Sequence, residues 1–254
     1  MEFHQSEFEV RLPIGYRDES GKIHRRAFLR KMRGHEEALL YDTSLQGGRL
    51  VTELLTGCMV RLGDLAHVDA QILSELYSVD RNYLLLELRR LTLGDRMPAT
   101  YYCPGCRAPV ALTEDLATLA VGRFEGDRVP EDIHLELEDG YVDRQGRRHT
   151  AVILTLPRGK DEEFVAPLAT RDPLKAQDAL MLRCIKKFGD LPHSALEAYG
   201  VKILRELTMG DRLRLQESFN GRTPGVDFVR QVQCPSCGVQ FEGMLDVSHF
   251  FVCG

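Results

Sequence analysis

One nine-residue phrase, used twice, constrains this chain more than any other feature. Leu-Arg-Arg-Leu-Thr-Leu-Gly-Asp-Arg at 88–96 returns as Leu-Arg-Glu-Leu-Thr-Met-Gly-Asp-Arg at 204–212, with seven of nine positions identical, and a Cys-x-x-Cys pair follows each copy. Upstream, Cys58 matches Cys184, Gly63-Asp64-Leu65 matches Gly189-Asp190-Leu191, and Gly15-Tyr16 matches Gly140-Tyr141. Such a repeat is too long for a solenoid unit of roughly 20 to 50 residues and predicts two small domains in tandem. The expected fold class is α+β: a duplicated unit of β-hairpin, helices and Cys-x-x-Cys knuckle, the halves packed as a pseudo-dimer. Repeat 1 is assigned to residues 1–124 and repeat 2 to 125–254, with the join in the Gly- and charge-rich stretch 121–130.

Composition supports that count and narrows function. At 254 residues, 43% hydrophobic and 28% charged, the chain is an ordinary globular one with enough apolar surface for a core. A net charge of -5 gives no global positive field, so bulk nucleic acid and membrane surfaces are not expected as partners. No apolar run approaches the ~18 residues of a membrane span, and Met1 to Gln5 lack the basic and apolar regions of a signal peptide. The expected compartment is the cytoplasm, where seven cysteines read as thiols or metal ligands more naturally than as disulfides.

Local patterns predict the elements. Extended runs at 8–14 and 22–30 flank a polar segment bounded by Gly15 and Gly21, a hairpin with a long loop that recurs around Gly140 and Gly146. Glu36-Glu37 and Glu162-Glu163 then fall in a first helical turn, where they complement the helix dipole. Helices are expected over 48–62 and 172–188, the second capped by Asp172 with Pro173 following. Two more are expected over 79–93 and 201–209, each stopping at a Gly-Asp, with Leu84, Leu85, Leu88 and Leu91 inward and Arg89 and Arg90 outward. Repeat 2 then carries 21 residues (213–233) before its cysteines where repeat 1 has six. Both cysteine pairs lie between extended runs.

Cys103-Pro-Gly-Cys106 and Cys234-Pro-Ser-Cys237 form the strongest chemical constellation. Two such knuckles make a tetrahedral four-cysteine zinc site, the turn amides solvating the sulfurs. The 127 residues between Cys106 and Cys234 far exceed the ~15 to 20 of a zinc ribbon. Each half of a pseudo-twofold body would therefore supply one knuckle, and structural Zn2+ would clamp the halves together. Two alternatives stay open: a thiol redox pair, disfavoured because neither pair opens a helix, and inert thiols. A zinc-ribbon nucleic-acid module is a further alternative, disfavoured by the negative charge. Cys58 and Cys184 read as core residues and Cys253 as a free thiol.

No catalytic set emerges. His24 and His149 read as packing or turn residues, and Glu36-Glu37 and Glu162-Glu163 as helix-start charges. The basic run Lys22, Arg25, Arg26, Arg30, Lys31 and Arg33 reads as charges protecting an edge strand, with phosphate contact as the alternative. There is no phosphate-loop or dinucleotide glycine pattern, so neither enzymatic activity nor a small-molecule substrate is expected.

The succession 55–64, 80–89, 91–95, Cys103-Pro-Gly-Cys106 and Cys234-Pro-Ser-Cys237 through 249–251 resembles the T-even-phage-type baseplate protein family, found in contractile-tailed phages and phage-tail-like contractile injection systems. The resemblance spans nearly the whole chain. It implies a non-enzymatic structural protein or assembly chaperone of the baseplate hub, made in the bacterial cytoplasm. The implied partners are hub, spike, tube or tape-measure proteins, and whether the protein stays in the particle is left open. The loops at 15–21, 140–146 and 220–225 are the expected presenting surfaces.

Overall fold

A computed structural model describes residues 7–125, 128–219, 224–246 and 250–251. Its first half runs β1 (Phe8–Arg17), β2 (Ile23–Leu29), α1 (Gly34–Leu40), α2 (Gly48–Cys58), β3 (Met59–Leu62), α3 (Ala70–Glu75), α4 (Ser78–Leu93), β4 (Arg96–Tyr102), β5 (Pro109–Asp115) and β6 (Val121–Gly122). The second runs β7 (Ile133–Val142), β8 (Arg148–Leu154), α5 (Gly159–Ala169), α6 (Pro173–Cys184), β9 (Ile185–Phe188), α7 (His193–Glu206), α8 (Met209–Glu217), β10 (Gly225–Val226), β11 (Val229–Gln233) and β12 (Gln240–Met244). The class is α+β, as expected. Cys253 and most of the 220–225 loop fall outside the described residues.

The two opening hairpins share an unusual register. In the first, Arg11 faces Arg26 and Tyr16 faces His24, so four residues of β1 bulge against one of β2. In the second, Glu136 faces Ala151 and Tyr141 faces His149, with the same four against one. The last bulged residue is glycine in each, Gly15 at φ +100° and Gly140 at φ +68°, because an L side chain there would be strained and would strike the opposite strand. The strands continue past these glycines, so the turns occupy only 18–22 and 143–147 and the loops expected at 15–21 and 140–146 are shorter than predicted.

Three sequence expectations need correction here. The helix expected over 48–62 ends at Cys58, and that over 172–188 ends at Cys184; both chains pass directly into a strand, β3 or β9. Pairing with β2 and β8 wins over the continued helical period, since it satisfies the second edge of each hairpin. The strand carrying the basic run is therefore central, not an edge. Its charges have partners: Arg26 reaches Glu9 at 2.6 Å, Arg30 reaches Glu36 at 2.7 Å, and Arg25 donates to the Ile14 carbonyl at 2.7 Å. Arg89, expected to point outward, is 7% exposed and donates at 2.8 Å to the carbonyl of Gly94, the C-cap of α4, and at 3.1 Å to that of Arg96, which opens β4.

The duplicated phrase itself has two different conformations. At 88–96 it ends a helix: α4 stops at Leu93, Gly94 takes φ +87°, and β4 begins at Arg96. At 204–212 it spans a break between helices, because α7 ends at Glu206, Leu207 is extended, and Thr208 caps α8 by accepting the Asp211 N–H. Gly210-Asp211 therefore opens a helix instead of stopping one. The residue that occupies the place of Asp211 in the first half is Asp80, third in α4 as Asp211 is third in α8. From there to the cysteines the spacing is constant: 22 positions separate Arg81 from Cys103 and Arg212 from Cys234. The extra length of the second half lies earlier, in α7 with 14 residues against six in α3.

Two buried cores result, and each borrows from the other half. Leu12, Leu29, Leu55, Leu62, Leu84 and Leu88 pack with Leu245 and Phe250, while Leu154, Phe188, Ile203 and Leu215 pack with Ile14. Backbone hydrogen bonds join the same halves, from Ser78 N to Pro157 O at 2.9 Å and from Gly159 N to Leu76 O at 3.0 Å.

Candidate metal centre

The strands β4 and β5 form one two-stranded ribbon and β11 and β12 another, and each ends in a Cys-x-x-Cys turn. The turns are built alike. Cys103 N donates to Ala108 O at 3.0 Å and Arg107 N to Cys103 O at 2.8 Å; Cys234 N donates to Val239 O and Gly238 N to Cys234 O, both at 2.9 Å. The residue after the second cysteine is left-handed in both, Gly238 at φ +75° and Arg107 at φ +60°, the only non-glycine at positive φ among the described residues.

The turns converge. Cys103 Sγ lies 3.5 Å from Cys237 Sγ and Cys106 Sγ lies 3.6 Å from Cys234 Sγ, and all four sulfurs fall within 4.8 Å of one another. A tetrahedral ion with metal–sulfur bonds of about 2.3 Å sets its sulfurs about 3.8 Å apart, so the set fits a four-thiolate metal site. Cys103 and Cys234 are buried, and Cys106 and Cys237 exposed. All four predicted ligands are thus brought together, across 127 intervening residues.

Electrostatics within the set suit a cation. Burial alone would raise the Cys234 thiol, but the N–H groups of Cys237 and Ser236 and the neighbouring thiols bring it down to about 6. At Cys237 the Val239 N–H favours the thiolate, yet the sulfurs of Cys103 and Cys106 outweigh it and push the thiol up to about 12. One thiolate forms readily and the next is opposed by it, a repulsion that a divalent cation relieves.

Beneath the sulfurs the ribbons interlock through residues that motif reading missed. Tyr101, Val110 and Val232 pack with Cys103 and Cys234. Glu114, itself buried, accepts the Tyr101 hydroxyl and the Arg230 guanidinium, both at 2.9 Å, and so ties β5 to β11. Gly243 admits the Tyr101 ring, since a Cβ there would stand 2.4 Å from it. Glu114 carried a signal: it shares a face of β5 with the buried Val110, four residues before it, where an acid needs a partner.

The remaining candidates are structural in their surroundings. His24 and His149 are buried and bond Asp18 and Asp143 at 2.8 and 3.1 Å, beneath Gly63 and Gly189. Glu36 is buried against Arg30 and accepts the Arg33 N–H, whereas Glu37 is exposed. Glu162 and Glu163 approach Arg81, which is fully buried, at 3.2 and 3.7 Å. Cys58 and Cys184 lie in the core, as expected.

Fold and site define an α+β protein whose two distant ribbons meet in a four-thiol cluster able to hold a metal. No helix among the described residues is long and apolar enough to cross a membrane. The chain belongs to the T4 bacteriophage base plate protein family, whose sequence model matches residues 7–252. It is thus a phage-type baseplate structural protein, of a family whose members interact with other baseplate or tail components. No curated protein and no solved structure matches it.

Proposed function

We propose that this chain is a non-enzymatic structural or assembly protein of the baseplate hub in a contractile, tail-like injection particle, stiffened by one structural zinc ion. Cys103, Cys106, Cys234 and Cys237 hold that ion. The observation that carries the reading is the convergence of four sulfurs from ribbons at opposite ends of the chain. Zinc there joins residues 1–124 to 125–254, which we take as the products of a tandem duplication. Several features support this equivalence: the matched bulges, Asp80 with Asp211, and the constant spacing to the cysteines. The protein is made in the bacterial cytoplasm, and its partners are hub, spike, tube or tape-measure proteins.

Redox chemistry is the weaker reading, because strands and not helices follow both cysteine pairs, and sulfur contacts of 3.5 and 3.6 Å run between ribbons. The test is metal analysis of untagged protein purified without added metal, with parallel expression alongside the neighbouring tail proteins. One zinc per chain, lost in Cys103→Ser or Cys234→Ser, and capture of a hub component are the expected results. Metal-free protein that cycles to disulfides at cytosolic potentials would overturn the zinc assignment.

A further inference from the structure

Helix α5 of the second half is seated on the first. Its Glu162 and Glu163 flank Arg81 of α4, and Thr52 of α2 donates to Glu163. Two glycines permit the fit: a Cβ on Gly48 would meet Glu163 N at 2.6 Å, and one on Gly159 would meet the Arg81 guanidinium at 2.0 Å. The first half is thus a receiver and α5 a donor.

The second half contains the same receiver. Arg212 donates to the Leu204 carbonyl and to Asp178, as Arg81 donates to the Leu73 carbonyl and to Thr52. Its groove, between α6 and α8, stands open. Where Ser78 is 9% exposed under α5, its counterpart Met209 is 88% exposed, and where Gly48 is buried, its counterpart Leu174 is 56% exposed. Leu213 beside them is 54% exposed. Apolar side chains gathered at an open groove mark an interaction surface. A donor is also left over: α5 packs on α6 of its own half and reaches across to α2 and α3, whereas its counterpart α1 packs mainly on α2 of its own half.

We propose that the α6–α8 groove takes helix α1 from a second copy of this chain, repeating between copies the contact that α5 makes within one. This rests on the equivalence of the two halves and goes beyond the cysteine cluster. Gly34 and Gly159 occupy the same helical position, yet among the described residues nothing lies within 4 Å of a Cβ added at Gly34. Its bare backbone meets no described side chain and suits an incoming arginine. The acids have also changed sides. The first-half pair Thr52 and Glu163 corresponds to Asp178 on the open groove and Ala38 on α1, so the second copy brings no carboxylate against Asp178. Glu37, exposed at the place of Glu162, keeps an acid for Arg205 and Arg212, whose side chains are 48% and 29% exposed. Leu174 in place of Gly48 holds α1 further out, on Leu174, Met209 and Leu213. The contact is head-to-tail, so it propagates from copy to copy into a ring or a row.

The test is sedimentation of the full chain at concentrations up to about 1 mM, a range that includes weak contacts. Wild type is expected to associate beyond a dimer. Ala38→Glu on the donor, and Met209→Glu with Leu213→Glu on the groove, should each weaken association at least about tenfold without changing the melting temperature. Mixing the two variants should give a one-to-one dimer and nothing larger, because only one intact donor and one intact groove remain. Monomeric wild type, unchanged association of Ala38→Glu, or a mixture that stays monomeric would each overturn the proposal. Metal content of the same samples reads the cysteine cluster independently.

Discussion

Asp80 and Asp211, 131 positions apart, close the same bulge in two hairpins. Asp80 accepts the N–H groups of Ile14 and Gly15, each at 2.8 Å, and Asp211 accepts those of Glu138, Asp139 and Gly140 at 2.7 to 3.0 Å. Their protonation differs. Burial pushes the Asp80 carboxyl up to about 6 against the pull of its two N–H groups, while at Asp211 burial is outweighed by three N–H groups that hold it below the usual range.

The two aspartates therefore give stability–pH profiles of opposite sign. The Asp80 contribution is fully present below its unfolded value of about 4 and is lost as pH rises through about 6. That of Asp211 is present above its unfolded value and is lost as pH falls through its lower folded one. Asp80→Asn should cost roughly 1 to 3 kcal/mol near pH 4.5 and less at pH 7.5, and Asp211→Asn should cost more at pH 7.5 than at pH 3. Urea midpoints across that range read both, and parallel profiles would contradict the assignment.

These residues also show what the sequence displayed and what it hid. The class, the hairpins and the four-cysteine set could be read because alternation, turn glycines and Cys-x-x-Cys spacing are local. The pairing of Asp80 with Asp211 could not. Its local phrase, Glu-Leu-x-x-x-Asp-Arg at 75–81 and 206–212, is weaker than the seven-of-nine match at 88–96. Yet the stronger match joins a helix end to a helix start, because Thr208 offers a cap where Thr92 lies within α4. Conformation there follows the capping and the bulge that needs an acid, and neither is visible in a nine-residue window. Strands β3 and β9 were hidden similarly, since their apolar residues continue the preceding helix period until a neighbouring strand claims them.

Arg107 offers a separate check on the knuckles. It takes φ +60° where the other turn has Gly238 at φ +75°. A non-glycine residue there costs about 1 kcal/mol, part of which glycine returns through the freer unfolded chain. Arg107→Gly should leave stability unchanged or raise it by up to about 1 kcal/mol, whereas Gly238→Ala should lower it by a similar amount. Thermal unfolding of the metal-loaded variants measures both, and a large loss in Arg107→Gly would mean that the side chain matters more than the backbone.

The core cysteines should be silent to thiol chemistry. Burial pushes Cys58 and Cys184 up to about 12 each, with Glu36 and Asp161 adding to the rise, so little thiolate exists at neutral pH. Iodoacetamide labelling followed by peptide mass analysis should leave both unmodified in the native fold and modify them after unfolding. Cys106, which is exposed, should label once metal is chelated. Labelling of Cys58 before that step would show that the α2–β3 junction opens.

Gly34 and Gly159 are matched positions with opposite surroundings, which makes one substitution two experiments. Gly159 carries the Arg81 guanidinium against its backbone, and Arg81 cannot withdraw, because Nη1, the atom nearest Gly159, donates to Thr52 and Leu73 O while Nη2 donates to Gly48 O. Gly159→Ala forces either the buried arginine or helix α5 to move, and breaking up a buried charge network costs about 3 kcal/mol or more. Among the described residues Gly34 meets nothing, so Gly34→Ala should gain part of the helix propensity of alanine, up to about 0.5 kcal/mol at this first helical position, in dilute protein. Unfolding midpoints at low concentration separate the two signs. If Gly34→Ala destabilised the dilute chain, the first turn of α1 would have a contact within its own chain, and its freedom to meet another copy would be lost.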